Sequence, residues 1–303
     1  MPSAPTHGQH FGGTHIREDL TDIIFQITPT DTPVLNITPR GTAKGVTHEW
    51  QKRALTTRQD NAQVEGAVYD FDEANRRPSR VTNITQNFLK QVRVSSTVEA
   101  AESAGIASMF ADQTEVATVE LKTDMEHAVI QGTLASGATG TARRMKGLIE
   151  AIEDAGTTAT NSSGVVSFTE THLNDFIQAC WDEGGAPRDW FCQGEIKRRI
   201  SGFTASSTSY RDQASGRVVN TVSVYESDFF VIETHLSRDI PNTNNTSRAI
   251  LGLDRSMLSL DLLRPVMLER TAKVASSTDG VVETECCISW GNELGHFYAK
   301  NIK

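Results

Sequence analysis

Two runs of alternating residues with a long polar connection between them constrain this chain most. Val46, His48 and Trp50 alternate with Thr47, Glu49 and Gln51. Further on, Ile84, Phe88, Val92 and Val94 share one face, opposite Asn83, Thr85, Asn87 and Arg93. A period of two spells strand. Between the runs, Arg58 to Arg80 is polar and charged, with Gly66, Pro78 and the Arg76-Arg77 pair. A connection of that length inside a compact domain is uncommon and usually functional or mobile. The span 42–96 therefore reads as a long two-stranded hairpin with a large tip. An isolated ribbon of this kind is marginal in water, so it needs a neighbour to pack against.

The segments on either side share that need. Residues 1–41 read as an arm, polar and rich in Gly, His, Thr and Pro, with one amphipathic stretch from Asp19 to Phe25. Pro29, Pro33 and Pro39 then favour extended chain over a long helix. After the hairpin, Thr97 to Glu102 predicts a short helix closed near Gly105, and a long helix follows from about Asp112 to Gly132. Ala117, Leu121, Met125, Ala128 and Val129 form its apolar stripe, and Lys122 and Glu126 are spaced to pair at i,i+4. An arm, a long ribbon and a long exposed helix are together most simply explained by an obligate oligomer.

The rest predicts an αβ block and terminal strands. Leu173, Phe176, Ile177, Cys180 and Trp181 mark a helix face that Gly184-Gly185 ends. A strand at Trp190 to Cys192, a helix near Glu195 to Ile200, and strands near 218–225, 229–234 and 249–253 follow. In the last stretch Val282, Thr284, Cys286, Ile288 and Trp290 alternate with Val281, Glu283, Glu285, Cys287 and Ser289. This order is α+β rather than a regular alternation of strand and helix.

Motifs of chemistry are missing. The sequence holds no Gly-x-Ser-x-Gly elbow, no phosphate-binding Gly-x-x-x-x-Gly-Lys-Ser/Thr loop and no His-Glu-x-x-His pair. The Gly137 to Thr141 loop lacks the lysine of a phosphate cradle. Adjacent Cys286 and Cys287 point to opposite faces of a strand, and Cys180 and Cys192 fit no zinc spacing, so all four read as buried thiols. The basic clusters at 76–80, 143–146 and 197–199 read as partners for acidic surfaces of neighbouring subunits. Asn83-Ile84-Thr85 matches the glycan acceptor pattern, which means nothing without a secretory signal. No catalytic, cofactor-binding or metal-ligating residue is assigned, and no enzyme activity is expected. The net charge of -9 argues against tight duplex binding while suiting a wall that holds DNA without gripping it. No run approaches the roughly 20 apolar residues that span a bilayer.

A family resemblance runs through the whole order. Arg17 to Ile24 followed by Thr28 to Leu35, Thr47-His48-Glu49-Trp50-Gln51, Asn61 to Ala67, Glu120 to Glu126, Gly140 to Leu148, Ile200 to Thr204, Val224 to Phe229, Leu262-Leu263-Arg264-Pro265 and Glu283-Thr284-Glu285 with Gly291-Asn292-Glu293 carry it. Together they resemble the major capsid proteins of tailed bacteriophages with the Hong Kong 97-type fold. The stretch Glu269 to Ala275 departs from that pattern.

The resemblance implies an α+β subunit with an arm (1–41), an extended loop (42–96), a peripheral domain with its spine helix (97–165), an axial domain (166–255) and returning peripheral strands (256–303). It implies hexamers and pentamers of this chain in an icosahedral shell around packaged double-stranded DNA, bound non-specifically. It places the protein in the virion, assembled in the host bacterial cytoplasm. Scaffolding, portal and decoration proteins are the implied partners; the scaffold is taken as separate because no long acidic or helical leader is seen. Bending at the hairpin base and in the spine helix is expected to absorb the differing environments of such a shell. A cytosolic enzyme with a dispersed active site and another virion structural subunit are the competing readings.

Overall fold

The computed structural model describes residues 28–55, 58, 60–68, 77–101, 106–156, 158–160, 167–203, 224–241, 248–273 and 275–302. The amphipathic stretch Asp19 to Phe25 and most of the strand expected at 218–225 lie outside them.

Three sheets organise these residues. The hairpin is β2 (Thr47–Lys52) against β3 (Ser79–Ile84), antiparallel, with Lys52 opposite Ser79 and Thr47 opposite Ile84. One residue later the chain enters β4 (Gln86–Ser95), which belongs to a different sheet. That four-stranded sheet has the order β1-β10-β11-β4, with β1 (Arg40–Thr42), β10 (Leu258–Arg270) and β11 (Ser277–Trp290). β1 runs parallel to β10, and the other pairs are antiparallel.

The short α2 (Ser96–Ala100) follows β4, and the long helix is α3 (Met109–Gln131), capped at its start by the Ser108 hydroxyl accepting the Ala111 N–H. It lies on β4 and β11. The expected stripe is the buried face: Ala117, Leu121, Met125, Ala128 and Val129 pack with Phe88, Val92, Val94 and Val282. The alternation in β4 follows from this, since its other face is wet. Lys122 and Glu126 do not pair. Glu126 turns inward with no exposed surface, towards α1 (Pro33–Ile37), and Lys122 stays outside.

The third sheet is six-stranded, ordered β5-β12-β9-β6-β8-β7. Its strands are β5 (Thr158–Thr160), β6 (Asp189–Cys192), β7 (Val224–Glu226), β8 (Val231–Leu236), β9 (Arg248–Leu253) and β12 (Phe297–Ile302). It is covered on both faces, which is why β6 and β9 read as continuous apolar runs rather than alternating ones. Phe191, Leu251 and Tyr298 face the core shared with α3 and α4 (Leu148–Ala155). Trp190, Cys192, Ile250 and Phe297 face a second core with α5 (Glu170–Asp182) and α6 (Gly194–Phe203). Trp181 does not join that core as its spacing suggested; it sits exposed at the end of α5 with its ring 5.5 Å from that of Phe229.

Candidate assembly interface

The hairpin leaves the body at Asn83, Thr85 and Gln86, and each of these is held. Asn83 is buried, and its amide donates to the carbonyls of Lys146 (3.1 Å) and Ile288 (2.7 Å) while its Oδ1 accepts the Lys146 N–H (2.9 Å). The Thr85 hydroxyl donates to Glu285 Oε1 at 2.7 Å, and the Thr85 carbonyl accepts from Arg143 Nε at 2.9 Å. Gln86 Oε1 accepts the Met145 N–H at 3.2 Å. The segment 143–146, between α3 and α4, thus grips the joint. Gly132 and Gly147 let it close: a Cβ on Gly147 would stand 2.5 Å from the Gly132 nitrogen.

Charge reinforces this joint. Glu285 is buried between Arg143 and Arg264, the latter 3.2 Å away through Nε. Burial pushes its carboxyl up, but the Thr85 hydroxyl and the two guanidinium groups bring it below the usual carboxylate range. A second clasp lies at mid-hairpin. Lys52 pairs with Glu293, whose other oxygen accepts from Trp290 Nε1 at 2.7 Å, and the Trp290 ring meets Trp50 edge-on at 5.3 Å. The basic clusters expected to meet neighbouring subunits are partly committed within the chain, Arg80 to Glu49, Arg143 to Glu285 and Lys146 to Asp154.

Past Lys52 and Ser79 the β2–β3 ladder ends. Leu55, Val64 and Val68 are 84%, 82% and 94% exposed, and no strand pairs with this part among the described residues. Isolated exposed aliphatics are ordinary. Here three of them fall in the connection that follows a base held by buried hydrogen bonds.

Asp189, Glu233 and His235 bring ligand-type atoms within 4.8 Å of one another. No motif flagged them, because they meet only through β6–β8 pairing. Arg255 already grips the buried Asp189 carboxylate with Nε at 2.9 Å and a second nitrogen at 3.2 Å, and His235 Nε2 stands 3.2 Å away. A guanidinium in that position satisfies the charge, so the group is an ion-pair network tying β6 to the turn at 255–257.

Comparison with known proteins decides between the readings. A family model described as SU10 major capsid protein matches residues 5–303. The chain belongs to this family. No curated protein matches it. Solved structures agree on the fold at low identity. A chain from "Capsid of native GTA particle" has a TM-score of 0.65 at 10% identity, with 96% of this chain and 97% of that one covered. A chain of Microbacterium phage Oxtober96 has a TM-score of 0.64 at 14% identity, covering 94% and 95%. The SrpI encapsulin of Synechococcus elongatus PCC 7942 has 0.60 at 10%, covering 95% and 93%. The SU10-family subunit thus has the Hong Kong 97-type capsid fold and is a shell-forming structural protein of the virion. The hairpin and the long helix α3 occupy the segments in which the resemblance implies an extended loop and a spine helix.

Proposed function

We propose that this SU10-family subunit assembles as pentamers and hexamers into an icosahedral shell that encloses double-stranded phage DNA. Assembly would take place in the host bacterial cytoplasm with scaffolding, portal and decoration proteins. In this reading the four-stranded sheet with α3 is the core of a peripheral domain built from 97–165 and 256–303, to which β1 and β4 add their strands. The layer around α5 and α6, from 166–255, is the axial domain that gathers at the symmetry axes. The connection between Lys52 and Ser79 clamps the adjoining subunit, and the part of the arm before Thr32 reaches a further one. The acidic balance of the chain lets the wall enclose DNA without gripping it. Its work is mechanical, and no catalytic role is assigned.

One observation carries the clamp: the hairpin is fixed at its base, and its largely polar connection exposes Leu55, Val64 and Val68. A fixed base also moves the expected flexing outward. Tilting at 83–86 would break several buried hydrogen bonds, so adjustment between shell positions falls to the stretch past Lys52 and to the spine helix.

The test replaces residues 53–78 by Asn-Gly, a two-residue turn that suits the directly opposed Lys52 and Ser79. The subunit should fold with an unchanged circular dichroism spectrum and form no stable shells under negative-stain electron microscopy. Shells of normal size and stability from that variant would refute the clamp.

A further inference from the structure

Glu126 lies in α3 with no exposed surface, and its two carboxyl oxygens accept the backbone N–H groups of Val34 at 2.9 Å and Leu35 at 2.8 Å. These are first-turn donors of α1, and the residue at the N-cap, Thr32, makes no side-chain capping bond to them. A side chain 91 residues away in sequence does the capping instead. Among the described residues no lysine, arginine or histidine forms an ion pair with Glu126. The charged groups around it are accounted for elsewhere. Asp31 pairs with Arg238, Arg40 donates to the Leu35 carbonyl at 3.1 Å, and His127 acts on Asp239. Asp239, on the segment after β8, adds a negative charge of its own.

We infer that Glu126 is a proton-dependent latch that holds the end of the amino-terminal arm, Thr32 to Ile37, on the spine helix. An ionised carboxylate buried without a cation is costly, and two amide hydrogen bonds return only part of that cost. The protonated carboxyl carries no net charge and still offers lone pairs to both amides. Protons are therefore held more tightly when the arm is docked than when Glu126 meets water. Linkage then requires that protonation strengthen docking and ionisation weaken it.

Burial, with Asp239 adding to it, pushes the carboxyl from its ordinary 4.5 to about 7. Docking is accordingly firmest below about 4.5, loosens as the pH rises from there to about 7, and changes little beyond. Across that window the docking equilibrium shifts on the order of a hundredfold. This inference concerns the single chain and stands whether or not the hairpin clamps a neighbour.

Hydrogen exchange on the full chain, corrected for the intrinsic pH dependence of exchange, tests it. Protection of the Val34 and Leu35 amides should fall more than tenfold from pH 5 to pH 8, relative to α3 amides such as Val129. Glu126→Gln should remove that dependence, whereas Asp239→Asn should keep it. Wild-type protection that stays constant from pH 5 to 8 overturns the latch on its own, even if the Gln variant does not fold. A Gln variant with the wild-type slope overturns it as well.

Discussion

Asn83 and Lys146 are joined reciprocally, the Asn83 amide donating to the Lys146 carbonyl at 3.1 Å and the Lys146 N–H donating to Asn83 Oδ1 at 2.9 Å. A side chain thereby replaces a strand partner and welds the hairpin to the turn that follows the spine helix. Asn83→Ala leaves the Lys146 N–H and the Ile288 carbonyl without their partner in a buried site. It should cost about 2–3 kcal/mol of stability, read as a lower denaturant midpoint with unchanged slope. Because the joint aims the hairpin, shell yield should drop further in this variant than in a comparably destabilised core variant such as Ile152→Ala.

Gly252 has no room for a side chain. A Cβ there would stand 1.9 Å from the Phe297 ring, which is itself buried against Trp190 at 4.8 Å and Phe176 at 5.5 Å. Gly252→Ala should destabilise the subunit by about 1–3 kcal/mol through overpacking. Adding Phe297→Leu should cost less in the Gly252→Ala background than in the wild type, a coupling that a double-mutant cycle measures.

All four cysteines are free and buried, and burial pushes Cys180, Cys286 and Cys287 up to about 12 and Cys192 to about 11. The thiolate is the reactive form. A chromogenic disulfide reagent at pH 8 should therefore titrate no thiol rapidly in the folded chain and four in denaturant. Rapid reaction of any one would show that its strand or helix opens.

Two buried groups pull stability in opposite directions with pH. His296 Nδ1 accepts the Asp254 N–H at 3.0 Å, and burial lowers the ring to about 4, so it is neutral in the fold. Stability from a depressed histidine is present above 6.5 and is lost as the pH falls towards 4. That gap, at 1.36 kcal/mol per pH unit, is about 3 kcal/mol. Glu126, raised to about 7, does the reverse: its contribution is full below 4.5 and lost as the pH rises to 7. The two nearly cancel in the wild type. Glu126→Gln should expose the histidine, losing about 3 kcal/mol between pH 7 and pH 4, whereas His296→Gln should gain stability over the same descent. Denaturant unfolding at the two pH values measures both.

Elements with a local cause were legible in the order of residues. The alternation around Trp50 became β2, that from Phe88 to Val94 became β4, and the Ala117 to Val129 stripe became the buried face of α3. The run read as one hairpin strand breaks at Thr85, so that the hairpin's second strand is Ser79–Ile84 and Asn83 and Thr85 are buried. The same patterns, joined to the resemblance, sufficed for the fold and for shell formation. Period and capping are carried by residues a few positions apart, so a reader of the chain sees them directly.

Partners that meet across long separations emerged only when the chain was folded. Glu126 looked like half of an i,i+4 pair with Lys122 until the arm packed against its side of the helix. Asn83 looked like an idle glycan motif, and its value lies in backbone groups 63 and 205 residues away. Trp181 fitted an apolar stripe but fell beyond the edge of the core that covers its helix. In each case local spacing allows several environments, and burial against a distant segment selects one, because the cost of an unpartnered polar group or a void is settled only when the surfaces close.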